Sequence, residues 1–197
     1  MSWKPAGNHY WMGIVSDHYA GKLGFIESKR IRLIAATEGL VADDLSGHDT
    51  LSASLNVNVP ENWPPELYDR NAMEFAASQL CDPAERGWSF WYLIDKSAQP
   101  ETLLGICGFK GRPDGEGSVE IGYSVLSQYR NMGLATEAAA RLVDWAFGHP
   151  HVTEVSAETL PHLRQSIRVL EKNGFSFTGQ GSEQGVIRYA MHRSKLN

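Results

Sequence analysis

Cysteine is scarce. The 197 residues hold only Cys81 and Cys107, far apart and in no CxxC pair, so they can build neither the disulfide framework of a small secreted domain nor a four-ligand zinc site. An excess of positive charge is missing too. With 18 Lys+Arg against 23 Asp+Glu the net charge is −5, which argues against nucleic acid as the main partner, because phosphate backbones are held by clusters of Lys and Arg. No stretch approaches the roughly 18 uncharged apolar residues of a membrane span. Residues 1–25 carry no compact apolar core behind a basic start, the mark of export. These absences predict a protein of the reducing cytoplasm that engages neither membrane nor nucleic acid. Two familiar phosphate signatures are also lacking: no G-x-x-x-x-G-K-[ST] string occurs, and Gly115-x-Gly117 is followed by Glu120 where a third glycine is needed. His149 and His151 flank Pro150 and read as a loop rather than a metal site, so no metal is expected.

What is present suits one ordinary globular domain. The length fits a single large core, 42% of positions are apolar, and no repeat or linker-like stretch divides the chain. Residues 1–25, with Trp3, Tyr10, Trp11 and Tyr19 among glycines, have no clear period and form an arm of open role; 26–197 form the domain. From Ser28 the alternation Arg30, Ile31, Arg32, Leu33 reads as a half-buried strand, and Thr37 as a helix N-cap. Met73, Ala76, Ala77 and Leu80 recur at helical spacing, predicting a helix over about 66–81. Trp88 to Ile94, dense in aromatic and β-branched residues, reads as a strand. Thr102 to Lys110 and Ser118 to Val125 are two more, joined by the glycine-rich turn Gly111–Gly117. Ala135, Ala138, Ala139, Leu142, Val143, Ala146 and Phe147 then trace a long helix whose polar face offers Glu137 and Arg141 as an i,i+4 pair. A strand at Glu154–Thr159, a helix holding Leu163, Ile167 and Leu170, and strands at 175–178 and 186–191 close the pattern. This order predicts an α+β domain with a mixed, mostly antiparallel central sheet flanked by helices.

The chemistry concentrates where the strand through Val119, Glu120 and Ile121 runs by a short loop into the long helix. The first-turn N–H groups of a helix lack partners and sit at its positive dipole end, so the small Gly133 and Ala135 suit the close approach of a pyrophosphate to the backbone. A turn that merely fits the chain accounts for the same glycine.

Arg130-Asn-Met-Gly133-Leu-Ala135 resembles the R/Q-x-x-G-x-G/A loop of the GNAT acetyltransferase superfamily. Ile121-Gly-Tyr123, Ala135-Thr-Glu137-Ala, Glu158-Thr-Leu-Pro161 and Ser166-Ile-Arg-Val-Leu-Glu-Lys-Asn-Gly-Phe175 are similar to the branch that acetylates N-terminal alanines of ribosomal proteins. The resemblance implies the acyl-CoA N-acyltransferase fold and acetyl-CoA as cosubstrate. It implies that the loop Arg130, Asn131, Met132, Gly133, Leu134, Ala135 and Thr136 holds the pyrophosphate, chiefly through the amides of 131–135. The strand at Ile121, Gly122 and Tyr123 would run beside the pantetheine arm, where the family splays two neighbouring strands and backbone groups polarise the thioester carbonyl. The reaction implied is direct attack by a primary amine, on a protein N-terminus or a small molecule. A non-catalytic acyl-CoA sensor is the alternative, and a homodimer is left open.

An ammonium has no lone pair, so a base must take a proton from the acceptor. Glu120 is the candidate, its other reading being a cross-strand partner of Lys110 or Arg112. The resemblance implies that Ser166 protonates the departing thiolate, its other reading being a helix cap. Three departures stand out: Asn131 replaces a common Gly, which αL-tolerant Asn can match; Ser127 replaces a frequent Pro; and Leu163 replaces an Asn that contacts CoA in the family, unless Arg164 or Gln165 substitutes. Trp63, Tyr68, Trp88, Phe90, Trp91 and Tyr92 read as core or as pocket wall. Glu61, Glu66 and Asp69 read as solvated surface or as a lure for a cationic amine.

Overall fold

A computed structural model of the chain describes residues 24–193. Eight strands and five helices follow one another as β1 (Phe25–Glu27), β2 (Ile31–Ala35), α1 (Glu38–Ser46), α2 (His48–Leu55), α3 (Arg70–Leu80), β3 (Phe90–Asp95), β4 (Thr102–Phe109), β5 (Ser118–Val125), α4 (Leu134–Phe147), β6 (Glu154–Thr159), α5 (Arg164–Lys172), β7 (Ser176–Gln180) and β8 (Ile187–His192). The strands form one sheet in the order β1-β2-β3-β4-β5-β6-β8-β7. Every neighbouring pair is antiparallel except β5 and β6, so the sheet is mixed and mostly antiparallel, as expected.

The two-residue period of the strands divides the core between the two sheet faces. Leu33, Trp91, Leu93 and Ile121 point to the side covered by α4, where Ala138, Ala139, Leu142, Val143 and Ala146 are buried. Ile34, Phe90, Tyr92 and Ile94 point to the side covered by α1–α3. The alanines of α4 let that helix lie close on the sheet, and each fully buried leucine such as Leu142 stabilises the domain by about 1.5–3 kcal/mol.

Local signals explain most element ends. Thr37 caps α1 by accepting from the Leu40 amide at 3.2 Å, and Asp69 caps α3 by accepting from that of Ala72 at 3.0 Å. The helix expected over 66–81 therefore starts at Arg70; ahead of the cap, Leu67 has φ 66°, which no helix tolerates. Asp114 organises the turn before β5, its Oδ1 accepting from the amides of Glu116 and Ser118. Phe25 already belongs to the sheet, through a short strand that the periodicity does not reveal. The remaining arm, residues 1–23, lies outside the described residues. The expected Glu137–Arg141 pair does not form: Arg141 pairs with Asp144, because Glu137 is taken by Arg30 from β2's approach.

Candidate active site

The parallel ladder between β5 and β6 is brief. It joins Ser118, Val119 and Glu120 to Glu154, Val155 and Ser156 and goes no further. Beyond it β5 stays bonded to β4 through Val125 and β6 to β8 through Thr159, so the two strands part and face each other across a gap. A groove of about 1120 Å³ occupies this gap and continues between α4 and α5. A side chain added at Gly122 would meet nothing within 4 Å, so the β5 wall opens directly onto free space. That is room an extended ligand could fill against the backbone.

One end of the groove is the start of α4. Asn131 (φ 63°) and Gly133 (φ 78°) both take the left-handed conformation, which fits the αL tolerance expected of Asn131. Gly133 occupies the N-cap with no side-chain hydrogen bond, leaving the first-turn N–H groups without the usual internal acceptor. Asn131, Gly133, Leu134, Ala135 and Thr136 line the groove. Met132 does not; its carbonyl accepts from the Arg30 guanidinium at 3.1 Å. Arg130 lines the groove, but its guanidinium is committed to the Val125 carbonyl and to Glu66, each at 2.9 Å, so it fixes the base of the loop.

Glu137 braces this loop from behind. It accepts from the Ser28 hydroxyl and from Arg30 Nε at 2.7 Å. Burial alone would raise its pKa, but the hydrogen bonds from Ser28 and Arg30 and the guanidinium charge prevail and hold the carboxyl below its ordinary range.

At the other end, Glu120 is the last residue of the β5–β6 ladder and stands where the strands part. Its carboxylate pairs with Lys110, whose side chain is 66% exposed, so the cross-strand reading holds and the groove position holds with it. Arg112 pairs with Glu85 instead, at 3.0 Å. Ser166 is no cap, for Leu163 occupies the N-cap of α5. Its hydroxyl and carbonyl both lie 3.1 Å from the phenol of Tyr123, tying β5 to α5 across the groove. Burial pushes the Tyr123 phenol up to about 12, so it stays protonated at neutral pH.

Two groove residues receive no role in the sequence reading. Glu158 on β6 accepts from the Ser182 amide at 2.8 Å and its hydroxyl at 2.7 Å; burial works the other way, yet these bonds keep its carboxyl below the ordinary range. Leu67 is 91% exposed at the groove rim, on a loop held by Glu66, whose carbonyl accepts from the Ser124 hydroxyl, and by a reciprocal amide pair between Asn62 and Gln128 at 2.7 and 2.9 Å. A parallel register would have pointed to Glu158; nothing in local sequence points to Leu67.

The six aromatics are core, all buried, and only Phe90 reaches the groove. Glu66 lies at the groove and Asp69 is spent as a cap. Leu163 faces the groove, 41% exposed, rather than joining buried Leu170. Gln165 lines the groove and Arg164 does not.

The acetyltransferase (GNAT) domain model matches residues 45–176 of this chain. Among curated proteins the chain is similar to the uncharacterized N-acetyltransferase YjdG of Bacillus subtilis, 26% identical over 159 residues that cover 80% of this chain and 93% of that one. Among solved structures it shares its fold with a ribosomal-protein-S5-alanine acetyltransferase from Vibrio fischeri, at TM-score 0.62 and 15% identity over 88% of this chain and 99% of the other. A ribosomal L7/L12 alpha-N-protein acetyltransferase, RimL, solved in complex with coenzyme A, matches at TM-score 0.62 and 17% identity over 86% and 98%. The split sheet, the uncapped α4 start and these matches agree: the chain belongs to the GNAT family of acetyltransferases.

Proposed function

We propose that the chain moves the acetyl group of acetyl-CoA to a primary amine by direct transfer, the acceptor being a protein N-terminus or a small molecule. The observation that carries this reading is the parting of β5 and β6 at Glu120, which puts a carboxylate, an open backbone edge and a helix start along one groove. Acetyl-CoA supplies an acetyl group activated as a thioester. The amides from Asn131 to Thr136 hold its pyrophosphate, and the backbone of Ile121, Gly122 and Tyr123 lies along the pantetheine arm. Glu120 takes a proton from the acceptor ammonium and so frees the lone pair that forms the new C–N bond as the C–S bond breaks. Ser166, its hydroxyl oriented by Tyr123, donates a proton to the leaving thiolate. Glu158, kept ionised by Ser182, adds negative charge on the acceptor side, which favours a cationic amine. The two free thiols, Cys81 exposed and Cys107 buried, accord with a cytoplasmic setting.

A panel of N-terminal peptides, amino acids, polyamines and aminoglycosides, followed by thiol release from acetyl-CoA, tests the reading. Turnover of at least one amine is expected, with acetylation confirmed by mass. Tight acetyl-CoA binding with no acetylated product across the panel would turn the assignment to a non-catalytic sensor.

A further inference from the structure

The groove is lined from both faces of the sheet, by Leu134 and Val169 on the α4 side and by Phe90 and Ile106 on the α1–α3 side. On β5, Val119, Ile121 and Val125 are buried toward α4, so by the two-residue period Glu120, Gly122 and Ser124 look out on the α1–α3 side. The helix start assigned to acetyl-CoA belongs to the α4 side. An acceptor amine therefore approaches the Glu120 carboxylate from the α1–α3 side.

The wall there is stepped. Gly108 and Gly122 are cross-strand partners, so neither strand puts a side chain between them, and one built at Gly122 would meet nothing within 4 Å. Phe90 flanks this bare strip as the β3 neighbour of Gly108. On one side of the strip lies the Lys110–Glu120 pair; on the other lie Ile106, opposite Ser124, and Leu67. At about 3.4 Å per residue, Gly122 is roughly 7 Å along the strand from Glu120 and Ser124 roughly 13 Å.

Leu67 is the unusual member of this wall. It is the third residue of a turn closed by the Tyr68 amide, which donates to the Pro65 carbonyl at 3.2 Å, and its φ of 66° suits Gly or Asn and not leucine. Its neighbours are anchored. The Glu66 carbonyl accepts from Ser124 and the Glu66 carboxylate from Arg130, while buried Tyr68 packs on Phe90 with ring centroids 4.8 Å apart and donates to Asp44. The turn thus holds a large apolar side chain in water, in a conformation that leucine resists, at the rim of a groove. Neither burial nor backbone preference accounts for a leucine there, and strain held in place by its surroundings marks a position of function.

We infer that Leu67, Phe90 and Ile106 form an apolar subsite over the Gly108–Gly122 strip, and that the acceptor is a primary amine whose α-carbon carries a bulky apolar side chain, as in an amino-terminal leucine or phenylalanine. This rests on the acetyl-transfer reading. With the ammonium at Glu120, such a side chain extends over the two glycines and takes Leu67 out of water. A polar side chain on the same strip loses its water without gaining a partner, and glycine leaves the subsite unfilled.

Steady-state kinetics on the whole chain test the inference with the amides of leucine, phenylalanine, glycine and serine. Each is offered free and at the head of one common tripeptide, which tells a small-molecule acceptor from a protein N-terminus. In each series that is turned over, kcat/KM for leucine and phenylalanine should exceed that for glycine and serine by about tenfold or more, as burial of a large apolar group provides. Leu67→Asn removes the apolar group and suits the left-handed backbone. It should narrow that ratio severalfold by raising KM for the apolar acceptors, with Tm and acetyl-CoA affinity held, and Leu67→Met should keep most of the preference. Equal kcat/KM for all four acceptors in the wild type overturns the subsite, as does a Leu67→Asn variant that retains the wild-type ratio. A lower Tm in that variant with every acceptor slowed alike also overturns it, making Leu67 a structural residue. No acetylated product from any of the amines, with acetyl-CoA bound, would instead overturn the transfer reading itself and the subsite with it.

Discussion

The two halves of the sheet treat polar groups in opposite ways. In the half under α1–α3, Asp44 is buried yet accepts from Trp63 Nε1 at 2.8 Å, the Tyr92 phenol at 3.0 Å and the Tyr68 phenol at 3.2 Å. Burial raises its pKa against the pull of those three bonds, and the tyrosine phenols are pushed upward in turn. None of Asp44, Trp63, Tyr68 and Tyr92 lines the groove. In the half around β5, β6 and α5, polar groups of similar type are left along an open groove, and the ladder between two strands is cut short. The closed half joins its polar atoms inside the core to fix the fold, while the open half sets its pairs, Lys110–Glu120, Tyr123–Ser166 and Glu158–Ser182, along the wall of the groove. Stability and activity should therefore separate by region.

The sharpest break of that contrast is Glu120→Gln, which preserves shape and removes the base. The acetyl-transfer rate should fall about 10²–10⁴-fold with a changed pH profile, and acetyl-CoA affinity should hold; steady-state kinetics across pH beside calorimetry would read both. A variant with most of its rate and an unaltered profile would pass the proton to Glu158 or to water.

In the closed half the counterpart is Asp44→Ala, which leaves three buried donors without their shared acceptor. A loss of about 2–4 kcal/mol is expected, a fall in Tm on the order of 10 °C, with KM and kcat unchanged well below the transition. A large activity loss at unchanged Tm would erase the division between the halves.

Glu137 joins them, since with Arg30 it ties the β1–β2 turn to the loop before α4. Because its folded pKa lies below the ordinary value, its contribution is present above the normal carboxylate range and is lost as pH falls through the lowered folded value. Glu137→Gln should cost about 0.5–1.5 kcal/mol at neutral pH, discounted for partial exposure, and the wild-type and variant denaturation midpoints should converge in acid. A gap that widens on acidification would reverse the assignment.

The smallest effect is expected from Leu163→Asn. Since Leu163 faces the groove rather than the core, an amide there should tighten CoA binding by a few fold, within the roughly tenfold ceiling of one hydrogen bond, with no change in Tm. Weaker binding together with a lower Tm would return Leu163 to the apolar packing.

The sequence reveals what neighbours in the chain decide. β5 and β6 take the expected bounds because turn residues flank clean alternation, and the αL geometry of Asn131 and Gly133 is legible in the residue types themselves. The start of α3 is misread because Tyr68 keeps the apolar rhythm going through a turn that Asp69 ends. Glu137 is misassigned for a related reason: helical spacing sees Arg141, whereas Arg30 arrives from a distant strand with better geometry. The Tyr123–Ser166 bridge and the Glu158–Ser182 clamp depend on tertiary placement, and no local spacing encodes them.

The three-residue ladder between β5 and β6 has a mechanical meaning as well. It joins a plate of five strands to a plate of three, while one ladder inside each plate, β3–β4 from Phe90 to Asp95 and β6–β8 from Glu154 to Thr159, runs twice as long. A shearing load across the molecule concentrates at this short seam, and α4 and α5, which pack against each other beside it, act as the splint. A ligand bridging the gap would fasten the plates from inside, so occupancy should be legible as slowed amide exchange along Ile121–Val125 and Ala157–Thr159, the two strand edges that face each other across the groove.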